Sequence, residues 1–176
     1  MKKTFLFFAI ILFIIGSVSA QVSSVVSRAM EQYRQQNQSV PNSFRISSDN
    51  RSWQEQLDII LKSQSSSYPN IKRDFLRYSG LSQLPTGSEV ARNSDWWYWW
   101  EENIMKQAGI PGGFAHVGGK AVDVSVRDLN NQQKAAFLRI LQNNGVKVLM
   151  EYYDTNTRNA QFDVSIERAN LFHCTI

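Results

Sequence analysis

Apolar positions recur along this chain with two periods, helical in the first two thirds and alternating in stretches of the last third. Val22, Val25, Val26, Ala29, Met30 and Tyr33 follow the helical spacing and predict a first helix over Gln21 to Gln38. The segment from there to Ser52 is rich in Ser, Asn and Gln and reads as a connection. Trp53, Leu57, Ile60 and Leu61 predict a short amphipathic helix, and Ile71, Phe75, Leu76 and Tyr78 another that stops at Gly80. Between these two, Ser63 to Ser67 is nearly all Ser and Gln. Pro85-Thr86-Gly87-Ser88 punctuates the chain, after which Asn93 or Ser94 can cap a helix with Asp95 in its first turn. That helix is expected from Trp96 to about Gln107, with Gly109 and Pro111 as its stop.

The alternating Ala121-Val122-Asp123-Val124-Ser125-Val126 reads as a strand, entered through a turn at Gly118 and Gly119. Asp128 or Asn130 can then cap a helix through Ala135, Ala136, Phe137, Ile140 and Leu141, and Gly145 ends it. Val146 to Tyr153 predicts a strand, Asp154 to Asn159 a polar turn, and Phe162 to Ile176 a last strand or pair of strands. This order predicts an α+β fold with an antiparallel sheet and helices on one face. The expected division is residues 1–20 as a leader, 21–85 as a helical segment with Ser/Gln/Asn-rich connections, and 86–176 as a second domain.

Lys2 and Lys3, the apolar run Phe5 to Ile15 and then Val18-Ser19-Ala20 have the layout of a secretory signal peptide cleaved before Gln21. The apolar run is too short for a membrane span of about 20 residues, and no Cys follows the cleavage site to take a lipid. A periplasmic or secreted protein without a stable membrane anchor is therefore expected. Losing the two leader lysines brings a formal charge of +4 closer to balance, which argues against a nucleic-acid partner. Cys174 is the one cysteine, so no internal disulfide is possible. On a terminal strand Cys174 points away from His173 and reads as a small buried apolar residue.

His116 and His173 are the only histidines, and His116 is followed seven residues later by Asp123. A catalytic zinc ion takes three protein ligands from His, Asp, Glu or Cys and keeps one position open. His116, Asp123 and His173 fill that requirement if the glycine turn brings Asp123 back beside His116. The alternative is a polar turn leading into a half-buried strand, with the Asp123 carboxylate bonded to backbone amides. Trp96-Trp97-Tyr98-Trp99-Trp100 is the other unusual stretch. A helix spreads these rings around its circumference, with Trp96, Trp99 and Trp100 inward and Trp97 and Tyr98 partly exposed. Exposed rings can stack on sugars or grip a protein partner; a helix buried between other segments is the simpler account.

His116, Gly119, Ala121 and Asp123 match the H-x-x-G-x-A-x-D pattern of the zinc D-Ala-D-Ala carboxypeptidases and of the hedgehog signalling domain that shares their fold. The ending Glu167-Arg168-Ala169-Asn170-Leu171-Phe172-His173-Cys174 resembles the hedgehog type, with a Glu six residues before the last ligand His and a Cys after it. The resemblance extends roughly from Thr86 to Ile176. It implies a hedgehog-like fold, Zn2+ held by His116, Asp123 and His173, and Glu167 as the catalytic carboxylate, with Glu151 as a fallback. It also implies that Arg92, upstream of the Trp-rich helix, binds substrate; an ordinary surface salt bridge is the alternative for that side chain. For Glu167 and His173 to reach one ion, a strand from Ile166 to Ile176 must bend near Ala169-Asn170, because fully extended they lie about 20 Å apart. The implied activity is an exported zinc metallopeptidase cleaving the peptide part of bacterial peptidoglycan, a D-Ala-containing carboxypeptidase or endopeptidase. The rival is a catalytically inactive zinc-containing protein that recognises peptidoglycan or a protein partner.

Overall fold

The structure, a computed structural model, describes residues 22–37, 39–62, 68–108, 110, 113–156 and 159–176. The expected leader, its cleavage site, the Ser63 to Ser67 connection and the Gly109 and Pro111 helix stops lie outside the described residues. In chain order the elements are helix α1 (22–36), strand β1 (Arg45–Ser48), and helices α2 (Trp53–Lys62), α3 (Pro69–Ser79), α4 (Gly87–Arg92) and α5 (Ser94–Met105). Strand β2 (Ala121–Ser125), helix α6 (Asn131–Asn143) and strands β3 (Lys147–Asp154), β4 (Asn159–Phe162) and β5 (Leu171–Thr175) follow. The fold is α+β with a five-stranded antiparallel sheet.

These elements form two compact units, one of residues up to Asn50 with Gly118–Ile176, the other Arg51–Val117. The break therefore falls elsewhere than at the expected boundary after residue 85. The physical reason is a shared core: Val90, Trp100 and Ile104 from α4 and α5 belong to one buried cluster with Trp53, Leu57, Ile60, Ile71 and Phe75 from α2 and α3.

In the Arg51–Val117 unit, each helix end carries a recognisable signal. Gly80 ends α3 with φ 71° and returns its N–H to the Leu76 carbonyl. Thr86 and Glu89 form a reciprocal capping box, so the polar stretch at residues 85–88 begins a helix, α4, where the sequence reading placed only a break. Asn93 then caps α5 by accepting from the Trp96 N–H. Trp100 is fully buried against Phe75, with ring centroids 4.7 Å apart. Trp99 stacks on Tyr78 at 5.6 Å, and Tyr98 is 66% exposed. The expected division of the five rings between inside and outside holds for Trp100 and Tyr98, while Trp96, Trp97 and Trp99 are half-buried.

In the other unit the strands run in the order β1-β2-β5-β3-β4. Val122 pairs with Cys174 and Val124 with Phe172 across β2 and β5, and on the far side of β5 the same residues meet Val148 and Met150. One face of the sheet is therefore apolar, and α1 and α6 bury it with Val26, Ala29, Tyr33, Phe137 and Leu141. Phe137 lies parallel to Phe172 at 6.1 Å, while Tyr33 and Phe44 close edge-on around Phe137. Cys174 is fully buried in this layer, as expected of a small apolar residue.

The chain between β4 and β5 departs from expectation. Instead of a strand from Ile166, residues 166–168 form a turn closed by the Arg168 and Ala169 N–H groups on the Ser165 carbonyl. Lys134, 5% exposed on α6, holds this turn by donating to the carbonyls of Ala169 at 2.6 Å and of Ile166 and Glu167 at 3.3 Å. Burial lowers the affinity of this amine for its proton, opposed by the nearby Glu167 charge. Replacing Lys134 by Met keeps the apolar stem and strips three carbonyls of their donor. A loss of about 1–3 kcal/mol in urea unfolding is expected; an unchanged midpoint would show that water serves those carbonyls equally well.

Candidate metal centre

The second face of the sheet is polar at its centre. Asp123 on β2 stands directly opposite His173 on β5, so both side chains leave the same face, away from the Val122, Val124, Phe172 and Cys174 layer. The third polar member comes from β3. Leu149 is the partner of His173 there, and Glu151, two residues on, shares its face.

His116 precedes β2 in a turn whose backbone is tied at both ends. Its carbonyl accepts from the Arg51 N–H at 3.0 Å, and the Val117 N–H bonds back to the Phe114 carbonyl at 3.0 Å. Gly118 and Gly119 then take φ 90° and 66°, a left-handed pair that turns the chain into β2 and that side-chain-bearing residues reach only under strain. Ligand atoms of His116, Asp123 and His173 consequently lie within 4.8 Å of one another. His116 is 8% and Asp123 9% exposed.

Asp123 Oδ1 is 2.8 Å from His173 Nδ1, and Glu151 Oε1 approaches the same nitrogen at 3.8 Å. Two carboxylates thus share one imidazole in a largely buried pocket. Burial first, and the Asp123 charge second, push the Glu151 carboxyl up to about 7, with His173 opposing the shift. Burial and the same Asp123 charge also raise the neighbouring Cys174 thiol, which makes it a poor ligand and nucleophile. The group of His116, Asp123 and His173 can bind a metal ion: its donors are two imidazoles and a carboxylate, converging and shielded from water.

The three expected ligands are thus brought together, and the carboxylate of Asp123 faces an imidazole. Glu167 is not brought to them. Its side chain is exposed in the turn at residues 166–168, where Ser165 and its own backbone N–H hold the carboxylate below the ordinary range, helped by Lys134. The bend at Ala169-Asn170 does exist, but it serves the sheet. Asn170 receives the Val126 N–H on its carbonyl and gives its own N–H to Glu151 O, both at 3.0 Å. Its side-chain amide exchanges two 2.8 Å hydrogen bonds with the Tyr153 backbone. Asn170 thereby fixes the part of β3 that carries Glu151. The sequence signal for Glu151 was an acid in the middle of an otherwise apolar strand.

Arg92 is not a member of this group either. It lines a cavity of about 310 Å³ with Ala91, Ser94, Trp97 and Tyr98, none of which is a metal-group residue. Compared with family models, with curated proteins and with solved structures, the chain matches none. Among the described residues no helix is long and apolar enough to cross a membrane.

A raised Glu151 carboxyl has a consequence for stability. Its folded value of about 7 exceeds the ordinary 4.5, so the folded form binds its proton more tightly than the unfolded chain does. The stabilisation is complete below pH 4.5 and is lost as the pH rises through 7. In chelator-treated protein, Glu151→Gln should therefore gain on the parent between pH 5 and pH 8 in urea midpoints. A gap that stays constant over this range would mean an ordinary, solvated carboxylate.

Proposed function

We propose that this protein is an exported zinc metallopeptidase that cleaves the peptide part of bacterial peptidoglycan, with a hedgehog and D-Ala-D-Ala-carboxypeptidase-like domain around its metal. The observation that carries the reading is the convergence of His116, Asp123 and His173 within 4.8 Å, with the Glu151 carboxylate 3.8 Å from His173 Nδ1. Two ligand atoms of a tetrahedral zinc site with bonds of about 2.0–2.1 Å lie roughly 3.3 Å apart. The 2.8 Å between Asp123 Oδ1 and His173 Nδ1 is close enough to open to that separation by small side-chain rotations. Two imidazoles and one carboxylate also form a donor set that zinc favours, with a position left for water or substrate.

Zinc held there would supply Lewis acidity, which acidifies water and polarises the scissile carbonyl. The chain itself must move the proton. Glu151 is the suited group: buried, adjacent to the ligand set and with a proton affinity poised near neutrality, it can take a proton from water and deliver it to the leaving amine. This role passes to Glu151 from Glu167, whose exposed carboxylate is turned to Ser165 and Lys134. Leu149 is exposed beside His173 and Phe162 opposite Glu151, giving an apolar flank against which a substrate side chain can lie. The export expected from the leader agrees with a substrate in the cell wall.

The test is mass spectrometry of purified muropeptides after incubation with zinc-loaded protein. Loss of a defined amino acid or peptide is expected, falling about 10²- to 10⁴-fold in Glu151→Gln and persisting in Glu167→Gln. Zinc content should survive both changes and drop in His116→Ala. Bound zinc with no product would favour the inactive binding protein that recognises peptidoglycan or a protein partner; failure to bind zinc would end both readings.

A further inference from the structure

The Trp-rich helix presents a second feature that the metal centre does not use. Where α4 ends and α5 begins, Ala91, Arg92, Ser94, Trp97 and Tyr98 line an open surface cavity of about 310 Å³. That is near the lower bound for small-molecule sites and suits a single ring with its substituents. Ser94, Trp97 and Tyr98 fall three and four residues apart on α5, so one helix face carries a hydroxyl and two aromatic rings into the same space. Trp97 is held from behind by Trp53, whose ring meets it at 4.6 Å and 71°, whereas Tyr98 is 66% exposed. Such rings, one fixed and one open, offer π surfaces to the C–H bonds of a sugar.

Arg92 gives the cavity its charge. Its Nε donates to the Ser88 carbonyl at 3.1 Å, which fixes the plane of the guanidinium, and no described residue accepts from its two terminal nitrogens. Glu89, one turn back on the helix, feels the Arg92 charge weakly but spends its hydrogen bonds elsewhere: its carboxylate accepts from the Thr86 N–H at 2.7 Å and hydroxyl at 2.8 Å. No acidic side chain lines the cavity. A preset fork whose terminal nitrogens hydrogen-bond to no described carboxylate is suited to receive one through two parallel hydrogen bonds.

We propose that this cavity is a binding site for a sugar ring that carries a carboxylate, with Trp97 and Tyr98 on the ring and Arg92 on the acid. None of its lining residues belongs to the metal group, and binding here does not depend on catalysis there. Its role is to hold an acidic glycan while other parts of the chain act. It also gives Arg92, Trp97 and Tyr98 one common purpose.

Matched sugars test it. N-acetylmuramic acid and N-acetylglucosamine differ by a lactyl carboxylate, as glucuronic acid and glucose differ by oxidation of one carbon. Each is titrated into the purified protein while the Trp97 indole N–H, assigned with Trp97→Phe, is followed by NMR. Both acidic sugars should shift this signal with roughly millimolar affinity, the range open to a single ring, and more tightly than their neutral partners. Arg92→Gln should weaken the acids at least about tenfold and leave the neutral sugars unchanged; Tyr98→Ala should weaken all four. Both side chains are exposed, so an otherwise unchanged amide spectrum certifies the fold of the variants. Equal affinity for acidic and neutral sugars, an acid preference that survives Arg92→Gln, or no shift at Trp97 overturns the proposal. Because zinc content and muropeptide cleavage are read separately, failure here leaves the peptidase reading standing, and the reverse.

Discussion

The arrangement of the candidate metal centre depends on the register of β2 against β5. Asp123 opposes His173, and the residues on either side, Val122 with Cys174 and Val124 with Phe172, point the other way into the apolar layer. Side chains alternate with a period of two, so a slip by one residue would bury a carboxylate and an imidazole among Phe137, Leu141 and Tyr33 and expose Phe172. Desolvating an unpaired carboxylate costs far more than any single packing defect. The hydrophobic effect on one face thus sets the position of the polar group on the other. The site is precise because the core is.

The same sheet gathers two carboxylates around one imidazole. Asp123 and Glu151 both approach His173 Nδ1, at 2.8 and 3.8 Å. A stability-optimised interior would place apolar groups there or provide a full complement of partners. Glu151 responds by holding its proton to about 7. Strain of this kind, stored in titratable groups within a converging His/Asp/His set, is the usual mark of a site shaped by chemistry.

Much of this was legible in the sequence, where one local physical rule decided the outcome. The helical spacing from Val22 to Tyr33, the glycine at position 80, the Asn130 cap and the alternation after Gly119 all appear as elements in the structure. So does the His116, Asp123 and His173 set, because the two glycines and one strand pairing suffice to assemble it. Helix α4 was missed, since Pro85 and Gly87 look like a break until Thr86 and Glu89 are seen to cap each other. The compact units divide elsewhere than after residue 85 for a tertiary reason: Trp100 and Ile104 complete a core begun by Trp53 and Phe75, and no local pattern reveals which distant helices share a core.

Glu167 and Glu151 show where reading along the chain fails in principle. Glu167 is six residues from His173, and that nearness made it the natural companion. Yet a short separation along an extended strand is a long distance in space, and the turn that shortens it leaves the side chain exposed and bonded to Ser165. Glu151 is twenty-two residues from His173 by number, but β3 lies beside β5, and strands in a sheet are only about 4.8 Å apart. As the diagonal neighbour of His173 on the same face, two positions from its partner Leu149, Glu151 comes within reach of its imidazole. Asn170 joins the two descriptions. Its backbone and side-chain amides fix β3 at Glu151 and Tyr153. A residue unable to take a proton thus sets the position of one that can.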